Sequence, residues 1–244
     1  MKGDMTEQEF KSMLPSIVKW SVFNSNHKGN TTFKFYDEFI AMAMALSVGE
    51  IDEIEVPKPT GEYIIAVNPE YEISCVMRSI QASFVFGFLK DSGEELRDEF
   101  NKAIKSMITD GTLEALKNKY FSKPEELLFE DVEFESFPSA KTIKVAVTGD
   151  VPPIDYVTED DEPAGFNTAI LSEISRRLKI NIEIIDINAA ARTAALTSRR
   201  VDAVFWYVSM NDDSVRRFYV PDQVIISEPY YSWDTFVHVK RKPD

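Results

Sequence analysis

The sequence predicts an α/β protein built as two lobes, and two observations carry that expectation. Strand-like runs alternate with helical runs of roughly 10–15 residues in both halves of the chain, the pattern of βαβ units and parallel sheets. Between the halves, residues 122–140 (SKPEELLFEDVEFESFPSA) break the alternation with six carboxylates, one lysine and two prolines. Such a run has the composition of a solvated linker. The length of 244 residues and the 44% hydrophobic content suit one large domain or two lobes with a sizeable core.

In chain order, GDMTEQEF at 3–10 starts a helix, with Asp4 or Thr6 as N-cap and acids in its first turn, running to about Trp20. A loop rich in Asn, Ser and Gly follows at 24–31, then the strand TTFKFY. Asp37 is placed to cap the helix EFIAMAMALSVG, which stops at Gly49. IDEIEV alternates as a strand, and PKPTGEYIIAVN reads as a proline-opened helix. EISCVM and ASFVFGFL are two further strands. SGEELRDEFNKAIKSMITDG is an amphipathic helix with Ser92 as N-cap and Gly111 as stop, and TLEALKNKYF is a second. Beyond the linker come strand TIKVAVTG, loop DVPPIDYVTEDDEPAG, helix FNTAILSEISRRLK, strand INIEIIDI, helix AARTAALTSRR, strand VDAVFWYV and the closing VIISEPYYSWDTFVHVKRK.

Composition excludes several function classes. Against 41 acids the chain has 27 Lys and Arg, a net charge of −14. That opposes binding to a phosphate backbone or an anionic membrane. No apolar run reaches the roughly 20 residues that span a bilayer. MKGDMTEQEF lacks the apolar region of a signal peptide, so none is expected in this sequence. The single Cys75, inside EISCVM, is expected to be a buried, inert thiol. His27 and His238 stand alone, without CxxC or HExxH, so neither a metal nor any other cofactor is expected. No GxSxG elbow supports a Ser-His-Asp triad.

In both halves the segments resemble the extracellular solute-binding proteins, family 3, of amino-acid-type ABC importers. KTIKVAVTGDVPPIDYV resembles the family's opening strand and Pro-Pro-aromatic loop. EPAGFNTAILSEISRRLKINIEII is similar to its G-F-[DN] helix and following strand, RTAALTSRRVDAVF to its AL-x-SG-x-VDA element, and SEPYYSWDTFVHVKR to its S-x-PYY crossover. Residues 1–121 resemble the remainder: MKGDMTEQEF the Gly-Thr-Thr loop and helix, FYDEFIAMAMALSVGEIDEIEVPKPTGEYIIAVNP the second-lobe helix and its DKPTAEY-like segment, and FVFGFL onward the return strand and C-terminal helices. The resemblance implies a two-lobed type II periplasmic-binding-protein-like fold in circularly permuted order. Residues 1–90 would be second-lobe-like and 91–121 return helices packing on the other lobe. The acidic linker would occupy 122–140, and 141–244 would be first-lobe-like with a crossover strand. A cut through a tandem array is the alternative to a permutation.

The resemblance also places the ligand, between lobes at strand C-termini, near 148–155, 206–211, 3–6, 55–57 and Tyr230. Relatives that take α-amino acids clamp the carboxylate with an arginine and meet the ammonium with an acid. Here the arginine position falls on Ser214, with Arg216 and Arg217 just beyond, and the acid position on Pro57, with Glu55 two residues earlier on the same strand face. Val151 and Ala189 stand where rings are common, Trp206 and Tyr207 where small residues are, and Ser209 is retained. A zwitterion without a matched charge pair would lose several kcal/mol of hydration per ion, so a standard α-amino acid is not expected. Aromatic side chains suit an apolar, aromatic or cationic molecule. The candidate ligand residues are therefore Asp150, Tyr156, Trp206, Tyr207, Ser209, Glu55, Asp4, Thr6 and Tyr230, with Trp233 beside them.

Blander readings apply elsewhere. Met42 and Met44 read as core, EDDE at 159–162 as a hairpin tip, and RRLK and SRR as exposed helix ends. Asp150 and Asp155 read as binding or capping residues rather than a catalytic pair. The expected function is a non-enzymatic, monomeric, extracellular or cell-surface receptor delivering a small molecule to ABC permease subunits, without nucleic-acid partners. The alternatives are a sensory domain using the same closure and, behind it, a dehydratase or transglycosylase on the same fold.

Overall fold

The computed structural model describes residues 20–26, 30–36, 38–123, 131–158, 160–187, 191–210 and 220–243. The twelve strands are β1 (Trp20–Asn26), β2 (Asn30–Tyr36), β3 (Glu53–Pro57), β4 (Tyr71–Leu89), β5 (Thr142–Val147), β6 (Asp150–Val151), β7 (Asp155–Val157), β8 (Pro163–Ala164), β9 (Asn181–Asp186), β10 (Ala203–Met210), β11 (Val224–Ile226) and β12 (Tyr231–Arg241). The described helices are α1 (Phe39–Ser47), α2 (Lys58–Val67), α3 (Glu94–Thr109), α4 (Thr112–Ser122), α5 (Phe166–Leu178) and α6 (Arg192–Thr197). Seven strands form one sheet in the order β3-β12-β4-β10-β5-β9, with β11 also on β4. β1–β2 is a separate hairpin, and β6-β7-β8 a small sheet over the strand ends.

The mixed α/β class holds, but the sheet is less parallel than expected. Only β5 pairs in parallel, with β9 and β10, while every other described pair is antiparallel. The reason lies in β4. EISCVM and ASFVFGFL, read as two strands, are one strand of 19 residues. Its first part, Tyr71–Arg78, pairs with the C-terminal part of β12, and Ala82–Phe88 pairs with β10. The ladder with β12 slips where Ala82 faces Trp233 and Arg78 faces Thr235, leaving residues 79–81 opposite Asp234 alone. That is an extended bulge, and bulges bend and twist the strands that carry them.

Two groups of elements hang on these two strands. β1, β2, α1, β3 and α2 pack with one another at the β12 C-terminal end. The helices α3, α4 and α5 pack together against the other end, with α6 across the sheet on β10. Alternation explains the two faces there. Phe84, Phe86 and Phe88 point to the α3–α5 side, where Phe86 meets Phe100 edge-on at 5.1 Å and Phe205 at 4.8 Å. Val85, Ala146 and Val204 point to α6, against Ala195 and Leu196. Outside β4 and β12, the strongest contact between the two groups among the described residues is α1 against β6.

Several local expectations change. Within the loop expected at 24–31, the described residues pair as antiparallel strands, with Asn26 opposite Asn30. Asp37 lies outside the described residues, and Glu38 occupies the N-cap of α1 without a side-chain cap. α3 is capped by Gly93, not Ser92, because Glu94 and Glu95 already place acids in its first turn. Cys75 is exposed rather than buried, and neighbouring Val76 is 62% exposed; among the described residues, β12 is the one strand paired with β4 over 71–78. Arg177 is a bridge, not a free helix end. Its Nη1 lies 2.7 Å from Asp110 Oδ2 and donates to Ser106 Oγ at 2.6 Å, while Nη2 donates to Thr112 Oγ1 at 2.8 Å. The Arg177 bond holds the Asp110 carboxyl well below its ordinary range. In the 131–140 stretch Val132 and Phe134 pack on the core, and Ser172 Oγ donates to Glu133 O at 2.6 Å, so this part of the acidic segment is docked.

Gly61 marks the tightest approach of α2 to the sheet, since a Cβ there would collide with the Val237 side chain. Gly61→Ala should gain about 1 kcal/mol of helix propensity and lose roughly 1–3 kcal/mol to overpacking. Net destabilisation is expected in urea unfolding; a stabilised variant would show that α2 moves aside freely.

Candidate functional site

The loop after β5 builds the site. Its chain turns at Gly149 (φ +67), runs through the cis Pro152–Pro153 bond, and pairs Asp150 opposite Tyr156 and Val151 opposite Asp155. Asp155 is 1% exposed. Its Oδ2 accepts from both the backbone N–H and the hydroxyl of Thr148, each at 3.2 Å. Burial pushes its pKa up to about 6, the Thr148 and Gly149 N–H groups pull it down, and nearby Asp150 pushes it up again. Asp150 accepts a bond of 2.8 Å from Phe39 N–H, the first residue of α1, and burial raises its pKa despite that bond. Glu38 pushes the same way, while the guanidinium of Arg192 opposes it.

Arg192 was read in sequence as an ordinary residue of the helix AARTAALTSRR. It is instead 6% exposed, at the start of α6, with Nη1 donating to Phe205 O at 3.2 Å. A helix-period pattern with alanines on both sides hides such an arginine; only its isolation among small apolar residues was available as a signal. Among the described residues, no three His, Cys, Asp or Glu side chains converge in a way that could hold a metal ion.

Of the candidate ligand residues, the structure brings Asp150 and Tyr156 together on neighbouring strands, and Tyr156 is 9% exposed. Tyr230 is 2% exposed and packed among Phe84, Phe86, Phe166 and Phe205, so it serves the core. Its hydroxyl has no hydrogen-bond partner among the described residues, and burial raises its pKa well above the ordinary phenol value. Trp233, 8% exposed, packs 4.1 Å from Phe84. Glu55 lies elsewhere, on β3 opposite His238. For Trp206, Tyr207 and Ser209 only the backbone is described, in β10, with Tyr207 opposite Val85 and Ser209 opposite Ser83. The register slips between Val204 and Tyr207, so Phe205 and Trp206 share one opposing residue and simple alternation fails at that point. Asp4, Thr6, Ala189, Ser214, Arg216 and Arg217 lie outside the described residues.

His238 sits between two acids of β3: Nδ1 is 3.1 Å from Glu53 Oε2 and Nε2 is 3.4 Å from Glu55 Oε2. Glu55 and then Glu53 raise its pKa above the ordinary value, against desolvation. An imidazolium serves both carboxylates as donor, whereas neutral imidazole serves one.

Residues 143–244 match the family of bacterial extracellular solute-binding proteins, family 3. The match covers less than half of the chain; it begins in β5 and contains the Asp150–Asp155 loop, Arg192 and β12. No curated protein matches the sequence. Among solved structures, the PBP AgaA from A. tumefaciens R10, in complex with agropinic acid, is similar over 91% of this chain and 61% of that one, with 13% identity and a TM-score of 0.44. NikA from Staphylococcus aureus, in complex with Ni(L-His)2, is similar over 86% and 57%, with 9% identity and a TM-score of 0.46. The periplasmic aliphatic sulphonate binding protein SsuA from Escherichia coli is similar over 83% and 49%, with 13% identity and a TM-score of 0.38. The chain thus spans about half to three-fifths of the length of these solved proteins.

Two titrations follow from this geometry. A raised Asp155 pKa means that the folded chain holds the proton more tightly than the unfolded one, so folding loses stability as pH rises from about 4 through about 6. Asp155→Asn keeps an acceptor for Thr148 without the buried charge. Its stability relative to wild type should therefore improve across that interval in denaturant titrations, and a difference independent of pH would contradict the assignment. His238 has the opposite sign. Its contribution is fully present below its ordinary value near 6.5 and is lost as pH rises through the raised folded value. His238→Gln should cost about 1.5–3 kcal/mol at mildly acidic pH and much less in alkali, whereas an equal cost throughout would make the imidazole a packing residue only.

Proposed function

We propose that the protein is a non-enzymatic solute receptor that holds a small molecule at the seam between its two groups of elements. The single observation that carries this reading is the family match over residues 143–244, which contains one wall of that seam. In this reading the two groups are the lobes of a type II binding protein in permuted order: 1–90 second-lobe-like, 91–121 return helices, 122–140 connecting segment, and 141–244 first-lobe-like. The ligand is delivered to ABC permease subunits outside the cell membrane, with the receptor acting as a monomer. No described helix is long and apolar enough to cross a membrane.

The ligand is not a standard α-amino acid. Glu55, the acid nearest the family's ammonium anchor, faces His238 instead of a ligand. Glu38 on the α1 side and Asp150 on the β6 side make the seam acidic, which favours a neutral or cationic group there and disfavours a free carboxylate. Tyr156 supplies aromatic surface on the first-lobe-like side, beside Asp150, and the sequence adds Trp206 and Tyr207 in β10.

Thermal-shift screening followed by calorimetry tests this. The common α-amino acids should give no shift, whereas an apolar, aromatic or cationic solute present at about 100 times its Kd should add about 2.7 kcal/mol of stability. Micromolar binding of glutamine, arginine or histidine would show that Arg216, Arg217 or Glu55 has taken over the clamp. Absence of stabilisation by any small molecule would overturn the receptor reading.

A further inference from the structure

α1 lacks its own N-cap. Glu38 stands in that position with no side-chain bond to the helix, and the preceding strand β2 ends at Tyr36. The first helical N–H groups need an outside acceptor, because nothing inside the helix can reach them. For Phe39 that acceptor is Asp150, 111 residues away in sequence and on β6, in the other group of elements. The same place is the strongest contact between the two groups outside the shared strands among the described residues. The strands themselves are interrupted between the groups, at residues 79–81 opposite Asp234.

We propose that Asp150 is a latch: its carboxylate, by capping α1 across the seam, holds the two groups together in the ligand-free chain. The bulge at 79–81 supplies the bend and Asp150 the catch. The latch rests on the receptor reading for its purpose, since a solute entering the seam must break or replace the Asp150–Phe39 bond. Its charged neighbours set its strength. Glu38 at the head of α1, Asp155 on β7 and Asp186 at the end of β9 are acids in this neighbourhood, and Arg192 on α6 is the opposing cation. A ligand group that draws Asp150 toward Arg192 would therefore release α1.

The test needs no ligand, so its failure is separate from failure of the receptor reading. Asp150→Ala and wild type are compared as full-length protein by amide hydrogen exchange and small-angle scattering. The variant should exchange about tenfold faster over residues 39–42, the scale of a lost cap, and should show a larger radius of gyration. Glu38→Ser added to Asp150→Ala restores a cap within α1. Exchange over 39–42 should then slow again while the radius stays large, which separates latching from capping. An unchanged radius in Asp150→Ala, or a radius restored by Glu38→Ser, would overturn the latch and leave Asp150 as an ordinary helix cap.

Discussion

The architecture depends on one long backbone ladder, between the antiparallel strands β4 and β12. Every other strand of the large sheet joins one of them, directly or through intervening strands. Their hydrogen bonds make the two ends of the chain one body. Residues of β12 come together with residues of β4 that are far away in sequence, Ser232 facing Ser83 at a separation of 149 positions. The contiguous core follows the same route, from Val56 and Ile64 at one end through Val237, Trp233 and Phe84 to Phe100 and Phe166 at the other. Because the β4–β12 ladder slips at 79–81 and 234, the continuity is physical without being stiff.

Charge placement around the seam follows a consistent economy of position. Arg192, the one buried arginine among the described residues, is near Asp150, and the phenol of Tyr230 lies within electrostatic reach of Arg192 and Asp155. A change of charge at one of these groups alters the field at its neighbours. His238 and its two acids form a separate cluster between β12 and β3.

Much of the local structure was legible from residue patterns. TIKVAV, NIEIID and the helix beginning at Phe166 lie where alternation and the Gly165 boundary put them, because each is decided by neighbours in sequence. β4 is not legible as one strand, since MRSIQA breaks the apolar alternation at the bulge. Cys75 reads as buried because its neighbours in sequence are apolar, whereas its exposure is a tertiary fact. The candidate site was half legible. Pro-Pro and the flanking acids mark a turn whose arms pair Asp150 with Tyr156 and Val151 with Asp155, but a cap supplied from 111 residues away leaves no periodicity to read. The PYY run points Tyr230 toward the ligand, whereas the phenylalanines that enclose it come from three different elements, β4, α5 and β10.

The antiparallel course of β4 and β12 also governs how the molecule can carry load. Drawing the two ends apart along the strands would place the flanking hydrogen bonds in shear, so that many would have to fail together. Rotation about the interrupted stretch at 79–81 strains almost none of them, since the ladder is already open there. The same pair of strands is thus a tether against extension and a compliant joint against bending. The chain combines a mechanically continuous spine with a single soft direction of movement.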